Sequence, residues 1–126
     1  MRKAIHTSGA PKAIGPYSQA IQLDYWVYVS GQIPLDPESS EMIESDRIED
    51  QTHRVMKNIE AILHAANSDF DKVIKFNIYL SDINDFPKVN ETYQTYLKEP
   101  FPARATFEVA NLPKSARIEI DCIAHV

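Results

Sequence analysis

Between Asp46 and Leu80 the spacing of apolar residues changes once. Ile48, Val55, Met56, Ile59, Ile62, Leu63 and Ala66 recur at intervals of three and four, the signature of a one-faced helix. From Ile74 the pattern turns to strict alternation, with Ile74, Phe76, Ile78 and Leu80 set against Lys75, Asn77 and Tyr79, which describes a half-buried strand. A helix and a strand that each carry one apolar face, joined by a short link, bury those faces against each other, which points to a helix layer on a sheet. The helix is expected from Asp46 to about Ala66. Ser45 or Asp46 stands where a cap belongs, and Asn67 stands where a residue tolerant of the left-handed conformation ends a helix.

The rest of the chain extends the same plan. YSQAIQL and WVYVSGQI read as a hairpin turning at Asp24 and Tyr25, and PLDPESSEMIESD reads as a loop with room for a short strand around Glu41 to Ile43. A second helix is expected from near Asp85 to Leu97, with Phe86, Val89, Tyr93, Tyr96 and Leu97 inward and Pro87 tolerated in its first turn. Pro100 and Pro102 stop it. Two alternating strands follow, giving the order β-β-(β)-α-β-α-β-β. The expectation is one α+β domain over residues 1–126, two-layered, with both helices on one sheet face and the other face left for an oligomer interface.

Charge and composition narrow the function classes. A formal net charge of −5 argues against a surface made to neutralise phosphates, so nucleic acid is not an expected partner. No apolar run reaches bilayer-spanning length, and the start MRKAIHTSGAPKA has no apolar leader core, so no membrane partner is expected and the reading is cytoplasmic. The lone Cys122 excludes an internal disulfide and fits a reducing compartment. His6, His53, His64 and His125 have no zinc-type spacing, and there is no glycine-rich phosphate loop; neither metal nor nucleotide cofactor is expected.

Candidate chemistry gathers near the end of the chain, in PARATFEVANLPKSARIEI. Period two puts Arg104, Thr106 and Glu108 on one side of the first strand and Arg117, Glu119 and Asp121 on one side of the second. If these strands pair antiparallel about a turn at Asn111 to Lys114, Thr106 opposes Glu119 and Arg104 lies one diagonal step away. Arg104 is then either half of a cross-strand ion pair or a two-pronged clamp for a substrate carboxylate. Glu119 is either its partner or a group that orients water and moves its proton. Tyr17 is an aromatic strand residue or a phenolic donor at a pocket rim. Gly31 relieves a strand end or admits a close backbone approach. Asn90, on the inner stripe of the second helix, needs hydrogen-bond partners, and a structural anchor is the favoured reading.

The segments APKAIGPYSQAI at 10–21, VSGQIPLDP at 29–37, QTHRVMKNIEAIL at 51–63, VNETYQTYL at 89–97, and PARATFEVANLP followed by IEI are, taken together, similar to the Rid family. These are small trimeric proteins also called YjgF or L-PSP proteins, and the resemblance is to the RidA-type enamine/imine deaminases among them. It implies a chorismate-mutase-like α+β fold, a mixed sheet, a homotrimer with pockets between subunits, and no cofactor. The implied reaction is hydrolysis of 2-aminoacrylate or 2-aminocrotonate, released by PLP-dependent dehydratases and damaging to PLP enzymes, to 2-keto acids and ammonia. By the same resemblance Arg104 holds the carboxylate, Glu119 handles the water, Tyr17 and the Gly31 backbone complete the pocket, and Asn90 lies near it. Thr106 stands where several family members have cysteine, and it offers a hydroxyl for hydrogen bonding but little nucleophilicity. Asn67 and Ser39-Ser40 replace usual turn glycines. A non-catalytic small-carboxylate sensor or chaperone-like protein, and an L-PSP-type ribonuclease, remain the alternatives.

Overall fold

The first helix, α1, forms over Ile48–Ala65 and buries Ile48, Val55, Met56, Ile59, Ile62 and Leu63, the stripe that its spacing predicts. In this computed structural model, which describes residues 1–126, the helix ends as expected. Asn67 has φ +60°, with its N–H on the His64 carbonyl and the Ser68 N–H on the Leu63 carbonyl, the paired bonds of a left-handed helix stop. Its start differs by two residues. Arg47 occupies the capping position without a side-chain bond, while Ser45 accepts from the Arg47 N–H and donates to Asp50.

Six strands make one mixed sheet in the order β1-β2-β3-β6-β4-β5. They are β1 (Lys3–Ile5), β2 (Ala20–Leu23), β3 (Trp26–Gln32), β4 (Val73–Leu80), β5 (Ala103–Glu108) and β6 (Ile118–His125). β1 is an addition to the expected pattern. The hairpin β2–β3 turns at Asp24 and Tyr25 as expected, with Asp24 at φ +53°. The possible strand at Glu41 to Ile43 reduces to a single bridge, Leu35 to Met42. Ile74 departs from the alternation: a bulge between Val73 and Lys75 puts Val73 in the core and leaves Ile74 exposed.

The second helix, α2 (Phe86–Gln94), carries Pro87 in its first turn and continues to Leu97 through tighter bonds from Thr95, Tyr96 and Leu97 to Thr92, Tyr93 and Gln94. It connects β4 to β5, and these strands run parallel, Phe76 beside Arg104 and Ile78 beside Thr106. The expected antiparallel pairing of the last two strands therefore does not occur. β6 enters between β3 and β4, antiparallel to both, so β4 lies between the two strands that carry Arg104 and Glu119. The reason is topological: a helical crossover returns the chain parallel to the strand it left, and the 109–117 segment then carries it past β4 into the interior of the sheet.

Both helices cover one face, and Phe76, Ile78, Leu80, Ile118, Ile120, Val27 and Val29 meet them there in one continuous core. The opposite face is uncovered. It presents Leu23, Trp26, Tyr28 and Phe107, each about half exposed, around a polar centre of Glu119, Asp121, Asn77 and Tyr79. No helix is long and apolar enough to cross a membrane.

Candidate active site

The residues singled out from sequence fall into two places. Arg104 belongs to β5, the edge strand, and shares a sheet face with Phe76; it points toward the helix layer. Its Nη1 donates to Asn90 Oδ1 at 2.6 Å, and its guanidinium carbon stands 5.0 Å from the Phe86 ring centre and 5.3 Å from that of Tyr93. All three partners come from α2. No carboxylate lies within ion-pair distance, so of the two readings the cross-strand salt bridge is absent, and the charge is steadied by a neutral amide and two ring faces. Asn90 thus finds its partner in Arg104. Two residues along, the Thr106 hydroxyl is enclosed and without a hydrogen-bond partner.

Glu119 lies on the other sheet face, in a cleft of about 610 Å³ whose lining includes Tyr17, Ser30, Gly31, Ile33 and Leu35. Gly31 has no left-handed backbone angle; its bare Cα is what leaves the Glu119 carboxyl its present place. A Cβ built there would stand 2.2 Å from Glu119 Oε2 and 2.8 Å from its Cδ, so the carboxyl rests directly on the bare Cα. Placement of Gly31 opposite Glu119 follows from the irregular register where β3 meets β6 between Val29 and Gln32. Burial, and secondarily the charge of Asp121, push the Glu119 carboxyl above the ordinary glutamate range. Asp121 is itself held by Asn77 at 2.8 Å and the Tyr79 hydroxyl at 3.0 Å. Glu119 has no cation beside it.

One protomer therefore brings together Tyr17, Gly31 and Glu119 and separately Arg104, Thr106 and Asn90. The convergence of Arg104, Thr106 and Glu119 within one chain is corrected: alternation assigns faces within each strand but not the strand neighbours. Sequence reading also missed the rest of the cleft lining, Pro11, Lys12, Ile14, Gln19, Pro113 and Lys114 among it. Those residues lie in irregular segments with no period to mark them. Chemically, the cleft offers a half-buried carboxyl of raised pKa, a group suited to take and return a proton, and the edge offers a planar cation with no carboxylate partner. There is no group of three His, Cys, Asp or Glu side chains placed to share a metal ion. Cys122 is buried and its thiol pKa is driven far up, which makes it inert as a nucleophile.

Comparison with known proteins gives the context of this geometry. The profile of the family described as Endoribonuclease L-PSP matches residues 7–126. A RutC family protein of Pyrococcus horikoshii is 50% identical over 125 residues, covering 99% of this chain and 98% of its own. The 2-iminobutanoate/2-iminopropanoate deaminase of Mus musculus is 48% identical over 124 residues, 98% of this chain and 91% of its own. Among solved structures, E. coli TdcF with bound serine superposes with a TM-score of 0.92 at 38% identity, covering 98% of each chain.

Proposed function

The chain belongs to the endoribonuclease L-PSP family, also called Rid, and from that premise we propose that it hydrolyses 2-imino acids to 2-keto acids and ammonia. The substrates are the imine tautomers of 2-aminoacrylate and 2-aminocrotonate, three- and four-carbon acids. Full-length similarity to deaminases named for 2-iminobutanoate and 2-iminopropanoate supports the reaction class. The observation that carries the residue roles is that both charges are uncommitted: Arg104 has no carboxylate partner, and Glu119 has no cation.

Because these groups lie on opposite faces of one sheet, the reading requires a second copy. The uncovered face with Leu23, Trp26, Tyr28 and Phe107 is apolar enough to be buried between copies, and we take the assembly to be a homotrimer. In it Arg104 of one copy reaches the Tyr17–Gly31–Glu119 cleft of the next. The guanidinium grips the substrate carboxylate and so fixes the imine carbon before a water molecule. Glu119 takes a proton from that water as its oxygen bonds to the imine carbon, the C=N π pair moves to nitrogen, and Glu119 returns the proton there. The carbinolamine then collapses: Glu119 carries the hydroxyl proton to nitrogen, C=O re-forms and ammonia departs with the C–N pair. Tyr17, the Gly31 main chain, Thr106 and Asn90 bind or position the substrate. Such imines hydrolyse unaided in water, so orientation and one proton-handling group suffice without a cofactor. Residues 1–126 act as one domain, and we place the work in the cytoplasm, where the PLP-dependent enzymes that make such enamines would be protected.

Following keto-acid release from a serine or threonine dehydratase, with and without this protein, tests the reading. Faster release that Arg104→Ala abolishes is the expected result. Equal rates with and without wild type would sink it, leaving carboxylate binding alone as the function.

A further inference from the structure

The segment between Ser8 and Ser18 supplies Pro11, Lys12, Ile14 and Tyr17 to the cleft wall, yet it has almost no backbone structure of its own. Its one internal main-chain bond runs from the Tyr17 N–H to the Gly15 carbonyl, 2.9 Å, around Pro16, just after Gly15 at φ +119°, an angle that side-chain-bearing residues rarely adopt. Ala10 and Pro11 at its start are buried, but Ile14 and Tyr17 are well exposed, so packing holds only the beginning of this wall. One buried side chain ties it by hydrogen bonds.

Gln19 is 2% exposed. Its Oε1 accepts from the Thr7 N–H at 2.7 Å, while its Nε2 donates to the Thr7 carbonyl at 3.0 Å and the Pro11 carbonyl at 2.8 Å, with a longer bond to Ala10 at 3.3 Å. Its own carbonyl accepts from the Ser30 N–H at 2.9 Å, and Ser30 Oγ donates to the Ser18 carbonyl at 2.6 Å. Ser30 precedes Gly31, against which Glu119 rests. The side chain of Gln19 therefore fastens the wall and its main chain fastens the floor. A primary amide alone among side chains joins one acceptor to two donors in this compact, neutral form.

We propose that Gln19 is a positioning residue: it sets the distance between the Pro11–Tyr17 wall and the Glu119–Gly31 floor, and thereby which imino-acid side chains the cleft admits. This rests on the imine-hydrolysis reading. The test is Gln19→Glu, in which the ionised carboxylate faces three carbonyls, assayed on 2-imino acids of short and long side chain.

Expected is a rise in KM of about tenfold for the short substrates, in line with the net loss of one or two buried hydrogen bonds, with little change in kcat. The preference between short and long side chains shifts as well. Lowering the pH protonates the new carboxyl, which then accepts from Thr7 and donates to Pro11, so KM returns toward wild type measured at the same pH. A merely structural Gln19 lowers Tm while KM and substrate preference of the folded protein stay unchanged, and that result overturns the proposal. Should Gln19→Glu fail to fold, Thr7→Pro is compared with Thr7→Ala: both lose the hydroxyl that accepts from the Gly9 N–H, and only the proline also loses the N–H bound by Oε1; a smaller KM rise of the same kind in Thr7→Pro over Thr7→Ala supports the proposal, and equal KM overturns it. Should wild type not accelerate hydrolysis at all, the function reading fails by itself. Calorimetric binding of 2-ketobutyrate then decides: affinity weakened in Gln19→Glu supports the wall role, and equal affinity rejects it.

Discussion

The Arg104 corner and the Glu119 cleft solve opposite problems. Arg104 stands exposed on an edge strand, and α2 supplies Asn90, Phe86 and Tyr93 to hold a cation without neutralising it. Glu119 is half-buried in the middle of the sheet, and a missing side chain at Gly31 makes room for a carboxyl whose pKa burial raises. One place preserves a charge by giving it neutral company; the other weakens a charge by taking water away. Neither is a complete site, and the sheet separates them.

That contrast can be broken most decisively by removing each charge in turn and then mixing. Arg104→Ala should cost about 100-fold or more in kcat/KM, down to the uncatalysed rate, because orientation is the main source of acceleration; Arg104→Lys should cost less. Glu119→Gln should cost a comparable factor, within the range of general acid–base groups. Refolding the two inactive variants together should restore about a quarter of wild-type activity, since in the proposed homotrimer each mixed assembly keeps one intact shared site in three. No recovery would place both groups in one chain's site, or remove one of them from catalysis.

Gly31→Ala sharpens the cleft side. The new methyl displaces the Glu119 carboxyl, and a loss of about tenfold in kcat with unchanged secondary structure by circular dichroism is expected. Unchanged kcat would mean that the carboxyl's seat on Gly31 is irrelevant. Asp121→Asn is gentler. Burial leads and Asp121 follows in raising the Glu119 pKa, so the acid limb of the kcat/KM profile should move to lower pH without reaching the ordinary glutamate value. A limb that stays in place removes Asp121 from the tuning.

The smallest effect concerns stability. A carboxyl whose folded pKa is raised binds its proton more tightly in the folded chain, so its contribution is full at pH below the ordinary glutamate range and is lost as pH rises through the folded value. Glu119→Gln should therefore raise Tm slightly at neutral pH and leave it unchanged in acid. A Tm gain independent of pH would contradict the assigned cause.

The period change between Asp46 and Leu80 is enough to specify α1, β4 and, apart from Ile74 at the bulge, their facing stripes, because periodicity reports which side of an element is apolar. Asn67 likewise declares its turn locally, through its tolerance of positive φ. Arg104 and Glu119 were also legible as chemistry, by residue type and neighbours. Their mutual position was not. Partner choice among strands depends on loop closure and helix packing over tens of residues, and an antiparallel neighbour and a strand two places away produce the same alternation. Gln19 was hidden for a similar reason: its bonds reach an irregular segment whose path no period encodes.

By itself, then, the amino-acid order determined both helices and the strands after β1, the inward faces of α1 and, Ile74 apart, of β4, and the guanidinium and carboxyl on which the proposed chemistry rests. Only the tertiary structure decided that β6 lies between β3 and β4, that Arg104 and Glu119 face away from each other, and that Gly31 gives the carboxyl its seat. The reason is physical. Local propensity acts over a few residues, whereas side-chain encounter across a sheet is set by which backbones share hydrogen bonds, a property of the folded chain as a whole.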